Sequence, residues 1–180
     1  FINMVANYYK PGPGTVSGEV QYRIIEPRCS GSVKTGYGNW YVADNYIYGN
    51  EAATNDNVKY GVQGLGDRGK EMYVFSEPFE CVLINQHSAE LAYEMVLADV
   101  GASLPQRDSL DARIIHETAT GTATYGTGVY NQDEGFGSTP TGIIDSQNDV
   151  GGWPVLASEP APEDSDHDGM PDSWETSKGL

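Results

Sequence analysis

Positively charged side chains are scarce in this chain. Its 180 residues include 10 Lys or Arg against 26 Asp or Glu, and the formal net charge is -16. Because proteins that bind nucleic acid carry clustered Lys and Arg, this composition argues against a nucleic-acid partner. No apolar run approaches the roughly 20 residues that cross a bilayer, so we expect no membrane span.

Cysteine is almost absent as well. Cys29 and Cys81 each lie beside a strand-like segment, and the sequence allows either a single disulfide or two free thiols. Glycine (22), tyrosine (12) and proline (10) are by contrast common, which favours turn-rich β structure over a helical bundle. The length suits one ordinary domain.

The first 15 residues, FINMVANYYKPGPGT, predict a β-strand that ends at a turn. Its apolar positions follow the period of two that is typical of a strand with one covered face: Ile2, Met4, Ala6 and Tyr8. The Pro-Gly-Pro-Gly run then stops the strand. Since a strand needs neighbours on both edges, we expect polypeptide upstream of Phe1 to pair with it.

A similar phrase returns at residues 40–50, WYVADNYIYGN. Both copies contain a small apolar lead, then an asparagine (Asn7 or Asn45) and a tyrosine (Tyr8 or Tyr46), and both end in a glycine-containing turn. Two copies suggest stacked rungs of a solenoid, in which equivalent asparagines hydrogen-bond and aromatics stack. Two ordinary strands of a β-sandwich are the alternative.

Two helices are predicted in the second half of the chain. Ser88 can cap a helix that reaches Val100, and Asp108 can cap another with Asp111 in its first turn. Apolar alternation elsewhere, at residues 15–27, 58–62 and 72–75, predicts further strands.

Residues 64–69, GLGDRG, match the G-x-G-x-x-G pattern of dinucleotide sites. Such a site needs a helix N-terminus next, and the strand predicted at residues 72–75 argues against one. Glu71 would also repel a phosphate. We therefore interpret this stretch as a surface turn.

The strongest metal signal is DSDHDGMPDSWE at residues 164–175, which fits the calcium-loop pattern D-x-[DN]-x-[DN]-G-x5-E. Gly169 would provide the turn, and oxygen ligands at this spacing select Ca²⁺. The predicted ligands are three carboxylates, a backbone carbonyl, a ninth-position carboxylate that often acts through water, and a bidentate carboxylate: Asp164, Asp166, Asp168, Met170, Asp172 and Glu175. A solvated acidic tail is the alternative.

No entering helix can precede this loop, because Pro160 and Pro162 forbid it, whereas residues 172–178 can form the exiting helix. This half-motif resembles the calcium loops of thrombospondin type 3 repeats and dockerin-like tails. Sites of that kind suit extracellular calcium, so the loop favours secretion. We divide the chain into a body at 1–157, a linker at 158–163 and a calcium-binding tail at 164–180.

Five phrases spread in order along the chain together resemble the C-terminal part of bacterial pectate lyases of polysaccharide lyase family one. They are NYYKPGP at 7–13, WYVADNYIYGN at 40–50, EPFE at 77–80, LPQRDSLDARII at 104–115 and GIIDSQNDVGGWP at 142–154. The resemblance implies a mainly β fold, the C-terminal rungs of a right-handed parallel β-helix, with one or two packed helices and the calcium-loop tail.

The resemblance also implies an activity: cleavage of pectate, an acidic plant polysaccharide, by calcium-assisted β-elimination, in which an arginine removes the proton α to the uronate. In the family those catalytic groups lie upstream of the strand that resembles residues 2–9, so none is assigned here. The partners would be pectate and the missing N-terminal part of the same β-helix. Lys10, just beyond that strand, is our candidate contact to the anionic sugar; a solvated turn lysine is the alternative.

Two other interpretations remain open. The chain is alternatively a non-catalytic carbohydrate-binding module or a calcium-stabilised structural module. Trp153, between glycines and a proline, is either a packing plug, which we prefer, or a platform for the apolar face of a sugar.

Overall fold

The computed structural model describes residues 1–28, 36–82, 84–104, 106–127, 140–155 and 157–180. Its strands are β1 (Ile2–Val5), β2 (Tyr8–Tyr9), β3 (Trp40–Ala43), β4 (Tyr46–Ile47) and β5 (Val74–Phe75). Its α-helices are α1 (Glu51–Asn55), α2 (Gly66–Tyr73), α3 (Ala89–Asp99), α4 (Ser109–Thr120) and α5 (Asp172–Lys178). The described residues also contain two 3-10 turns, Glu19–Tyr22 and Gln147–Val150, and a π-helical turn, Asn57–Gly61.

The two copies of the repeated phrase stack on each other, as predicted. Strand β1 pairs in parallel with β3, placing Ile2 opposite Trp40, and β3 pairs in parallel with β5. The second sheet repeats the arrangement, with Tyr8 of β2 opposite Tyr46 of β4. In both sheets, each strand residue of the first copy therefore lies opposite one residue of the second copy, without a bulge.

The predicted fold class is nevertheless wrong. The structure is 35% helical and 10% strand, and the described residues contain no closed or solenoid sheet, so a mainly β, right-handed parallel β-helix is not what this chain forms. Three segments predicted as strands differ. Residues 15–27 contain a 3-10 turn and residues 58–62 lie largely in the π-helical turn, although Ile25 and Val62 form a single parallel β-bridge. Residues 72–73 end α2, and only Val74 and Phe75 form the predicted strand, β5.

Local capping explains part of that difference. The side chain of Asn50 accepts a hydrogen bond from the Ala53 amide and starts α1, and the side chain of Asp56 accepts one from the Lys59 amide. Such caps stabilise helical turns even where apolar residues alternate, because they satisfy amides that would otherwise lack partners. Gly61 then lets the chain approach Ile24, since a Cβ at residue 61 would lie 2.5 Å from the Ile24 side chain.

The two helices predicted in the second half are confirmed. Ser88 caps α3 by accepting a hydrogen bond from the Leu91 amide, and Asp108 caps α4 by accepting one from the Asp111 amide. Gly121, with a φ of 71°, ends α4 in the left-handed conformation that glycine adopts without strain.

A buried asparagine network joins the two copies to the helical segment that follows. Asn45 is 1% exposed, and its Oδ1 accepts hydrogen bonds from the backbone and side-chain nitrogens of Asn7 at 3.0 and 2.9 Å. Its Nδ2 donates to the carbonyls of Met4 and Ala43. The backbone amide of Asn45 donates to Oδ1 of the buried Asn57 at 2.8 Å. One network therefore links β1, β3 and the turn after α1.

Each copy bends at the residue before its asparagine. Ala6 and Asp44 occupy equivalent positions and have φ angles of 54° and 57°, in a region that non-glycine residues seldom adopt. This conformation costs of order 1 kcal/mol or more per residue and persists only where the surroundings hold it. The bonds between Asn7 and Asn45 supply that restraint.

A column of tyrosines and one lysine attach the helices to the strands. Tyr8 stacks on Tyr46 and on Tyr93 of α3, with ring centroids 4.8 and 4.2 Å apart. Lys10 extends over this column, and its Nζ donates to Tyr93 Oη and to the carbonyls of Thr118 and Ala119 at the end of α4. A cation at this position also interacts favourably with the helix dipole.

The hydrophobic core lies between the strands and the segment at residues 51–62. It consists of six buried residues, Ile24, Ile25, Val42, Ile47, Ala53 and Val62. The chain exposes 12859 Å² of surface. A compact protein of 19.5 kDa would expose about 8,500 Å². The chain therefore leaves much more surface open than a self-contained domain of its mass.

Two further features bear on the sequence predictions. Within the described parts of the chain, no helix is long and apolar enough to cross a membrane. Cys81 carries a free, exposed thiol, so of the two alternatives that the sequence allows it is the unbridged one that the structure has at this residue; Cys29 lies outside the described residues.

The asparagine network predicts a large effect of Asn45→Ala. This change leaves the buried Asn57 side chain, the Asn7 amide and the Met4 and Ala43 carbonyls short of a partner, so we expect the free energy of unfolding to fall by about 3 kcal/mol. Urea denaturation measures it, with the exposed Asn85→Ala as the matched control, which should change stability by less than about 0.5 kcal/mol. Equal effects of the two substitutions would contradict the network's role.

The Lys10 contacts predict a second effect on stability. Lys10→Ala removes charged hydrogen bonds to the end of α4, so we expect a loss of about 2 kcal/mol in the free energy of unfolding. Lys178→Ala, at an exposed lysine of α5, is the control and should have little effect. Unchanged stability in Lys10→Ala would show that these contacts do not hold α4 in place.

Candidate functional site

Three carboxylates of the acidic tail come together in space. One carboxylate oxygen from each of Asp164, Asp166 and Asp168 lies within 4.8 Å of the others. Asp164 is half-buried and the other two are exposed. This cluster could hold a metal ion, because three converging carboxylate oxygens are the donor set that hard divalent cations prefer.

The loop brings these residues together through hydrogen bonds from its own backbone. The Asp164 carboxylate accepts from the amides of His167 and Gly169, at 2.8 and 3.0 Å. The Asp168 carboxylate accepts from the Met170 amide at 2.8 Å. His167 and Gly169 have φ angles of 61° and 92°, so the tight turn predicted at Gly169 is confirmed.

The Asp172 carboxylate is hydrogen-bonded to Ser165 of the same loop. Its two carboxylate oxygens accept hydrogen bonds from the Ser165 amide at 2.7 Å and the Ser165 hydroxyl at 2.6 Å. These bonds stabilise the charged carboxylate and hold the pKa of Asp172 below its ordinary value. Asp172 also starts α5, the exiting helix that the sequence predicts, and that helix is confirmed.

Glu175 lies on α5 close to the same negative charge. Loss of surrounding solvent raises its pKa, and repulsion from the carboxylates of Asp166, Asp168, Asp172 and Asp164 raises it further. A bound cation would remove that repulsion. The ligand roles predicted for Asp172, Glu175 and the Met170 carbonyl stay predictions, whereas the cluster of the first three aspartates is a feature of the structure.

Lys10, the predicted sugar contact, lies outside this cluster. Its Nζ makes three hydrogen bonds within the chain, to Tyr93 and to the end of α4, and lies 5.1 Å from the centre of the Tyr48 ring. These bonds account for all three protons of the ammonium. The structure thus gives Lys10 a positioning role, and its contact with a sugar stays a prediction.

Four arginines of the described residues contact groups within the chain. Arg23 and Arg28 bind the Glu26 carboxylate, and Arg107 donates to the Val100 and Ala98 carbonyls at the end of α3. Arg113 pairs with Glu117 at 3.2 Å. Arg107 thus contacts backbone carbonyls, and Arg113 pairs with a glutamate of its own helix.

The interpretation of residues 64–69 as a surface turn is wrong for residues 66–69, which are helical. Helix α2 begins at Gly66, where the sequence predicts no helix. Lys70 donates to the carbonyls of Val58 and Lys59, so this lysine is bound to the protein's own backbone.

Sequence reasoning missed one concave site. A cavity of about 500 Å³ lies between α4 and residues 144–154, and Arg113, Tyr125 and Trp153 are in its wall. Trp153 is 76% exposed, so its interpretation as a packing plug is wrong. Nothing in the sequence brings residues 113, 125 and 153 together, because only the tertiary structure makes them neighbours.

Comparison with known protein families finds no family that matches this chain, and a search of curated proteins finds no significant match.

Proposed function

We propose that this chain is part of a secreted pectate lyase, and that its acidic tail binds a structural Ca²⁺ ion. The proposal of calcium binding rests on the convergence of Asp164, Asp166 and Asp168 within a loop whose spacing fits a calcium site. The proposal of a lyase rests on the five sequence segments that resemble pectate lyases. The alternative is a non-catalytic module that binds carbohydrate or is stabilised by calcium.

The tail suits Ca²⁺ better than a transition metal. Its predicted ligands are all oxygens, from five carboxylates and the Met170 carbonyl, and softer metals select nitrogen or sulfur. The cluster consists of aspartates alone, and His167 contributes a backbone amide that donates to Asp164. Seven acidic residues and no Lys or Arg lie at 158–175, so a divalent cation would relieve strong self-repulsion.

Two structural features support the lyase proposal. The two phrases at 7–13 and 40–50 belong to segments that stack in parallel with equivalent residues opposite each other, so both take part in one repeated unit. The large exposed surface suits a chain that completes its packing against further polypeptide of the same enzyme.

The proposed reaction would use groups upstream of this chain. A calcium ion on the uronate carboxylate stabilises negative charge that develops when an arginine removes the adjacent proton. Arg23, Arg28, Arg107 and Arg113 contact groups within the chain. We therefore assign no catalytic residue here and keep Lys10 as the candidate sugar contact. The calcium of the tail would be structural and separate from the calcium of the reaction.

Calcium binding is tested by calorimetry on matched variants of the acidic tail. Glu175→Gln and Asp168→Ala remove predicted ligands, so we expect calcium affinity to fall at least roughly tenfold in each. Glu159→Gln removes the same charge from the linker outside the loop and should leave the affinity within about twofold. Wild-type affinity in both loop variants would overturn the calcium assignment.

Lyase activity is tested with polygalacturonate by following the ultraviolet absorbance of the unsaturated product. We expect activity from the secreted protein that contains this chain, loss of activity with a chelator, and no turnover by the chain alone. Glu175→Gln in the longer protein should keep its activity, because the tail calcium takes no part in the reaction. Turnover by the isolated chain would contradict the upstream location of the catalytic groups, and an inactive longer protein would contradict the lyase proposal.

A further inference from the structure

The cavity at Trp153 is used neither by the calcium loop nor by the proposed reaction. We propose that it binds neutral pyranose units of a polysaccharide, with the sugar stacked on the Trp153 indole. The cavity measures about 500 Å³, within the range of 300–1,000 Å³ that is common for small-molecule sites. One wall belongs to α4 and the opposite wall to residues 144–154.

The exposed indole is the group that points to a sugar. Trp153 is 76% exposed although it lines a cavity, so one face of a large apolar ring is open to a ligand. The apolar C–H face of a pyranose covers such a ring, while the sugar hydroxyls remain free for hydrogen bonds. Gln147 and Ser146 provide polar groups in the same wall.

The wall that carries Trp153 is held by its own hydrogen bonds. Ser146 and Asp149 form a reciprocal capping box at the start of the turn Gln147–Val150. Gly151 and Gly152 then have φ angles of 88° and 92°, and their amides donate to the carbonyls of Asn148 and Gln147. The turn thus fixes the backbone that leads into Trp153, which lowers the entropic cost of ordering this wall on binding.

The opposite wall is equally fixed. The Arg113 guanidinium pairs with Glu117 and lies 5.1 Å from the centre of the Tyr125 ring. Its side chain is 20% exposed and that of Glu117 is 10% exposed, so both ends of the pair are held inside the protein. A second aromatic ring therefore faces the cavity alongside a guanidinium whose charge is compensated.

The charges around the cavity favour a neutral sugar over an acidic one. Arg113 is the cation of the lining, and Glu117 neutralises it. Asp145 in the lining and Asp149 beside it add negative charge, in a chain whose net charge is -16. A uronate would meet repulsion here, whereas a neutral hexose or pentose ring would not. The ligand of this cavity is therefore chemically different from pectate.

Affinity electrophoresis tests this proposal with defined probes. Native gels would contain soluble β-1,4-galactan, xyloglucan or polygalacturonate, and migration would be compared with that in a gel without polysaccharide. We expect at least one neutral polysaccharide to retard the chain and polygalacturonate to leave its migration unchanged. Trp153→Ala should weaken the retardation at least roughly tenfold, and Trp153→Tyr should retain part of it.

Trp174→Ala is the matched control, because Trp174 is also partly exposed but lies on α5 in the acidic tail. It should be retarded as the wild type is. Thermal unfolding of each variant checks that Trp153→Ala remains folded, as expected for a side chain so exposed. Migration unaffected by either neutral polysaccharide, equal retardation of Trp153→Ala and wild type, or Trp153-dependent retardation by polygalacturonate would each overturn the proposal. None of these results bears on lyase activity, so the two proposals fail separately.

Discussion

The hydrogen bonds of Asn45 are the constraint on which the rest of this structure depends. A buried amide must satisfy its donors and acceptor inside the protein, and Asn45 can do so only when Asn7, Met4 and Ala43 lie in one particular register. A shift of one residue would break these bonds and turn the strand faces over. The network therefore fixes the stacking of the two copies, and through Asn57 it also fixes the segment that completes the core.

Once that register is set, the attachment of the helices follows. The stacking of Tyr8 on Tyr46 continues into Tyr93, which places α3 against β2. Lys10 then joins the column to the end of α4, where backbone carbonyls need a donor. The wall of the Trp153 cavity that α4 forms thus depends on contacts that begin at the strands. The acidic tail is different, because its geometry arises from hydrogen bonds within residues 163–172.

Charge gives the molecule two distinct kinds of surface. The cations of the described residues are largely held by carboxylates, carbonyls or aromatic rings, as with Arg113, Arg107 and Lys10. The tail concentrates uncompensated carboxylates, which suits a hard cation. The cavity at Trp153 combines aromatic rings with a compensated guanidinium, which suits a neutral ligand. At the cavity, the charge of Arg113 is neutralised by Glu117 within the protein. At the tail, the cation that neutralises the carboxylates must come from solution.

Features that depend on near neighbours could be predicted from the sequence. The caps of α3 and α4, the turn at Gly169, the exiting helix and the spacing of Asp164, Asp166 and Asp168 all arise within a few residues, so their patterns predict them. The stacking of the two copies was also visible, because a repeat carries its own register. The fold class, the hydrogen bonds of Lys10 and the exposure of Trp153 could not be predicted in this way. Apolar alternation at residues 58–62 could not reveal that Asn57 is bound to Asn45, or that Lys10 and α4 meet across more than 100 residues. Those contacts join residues far apart in the sequence, and their free energy outweighs the local preference that the alternation expresses.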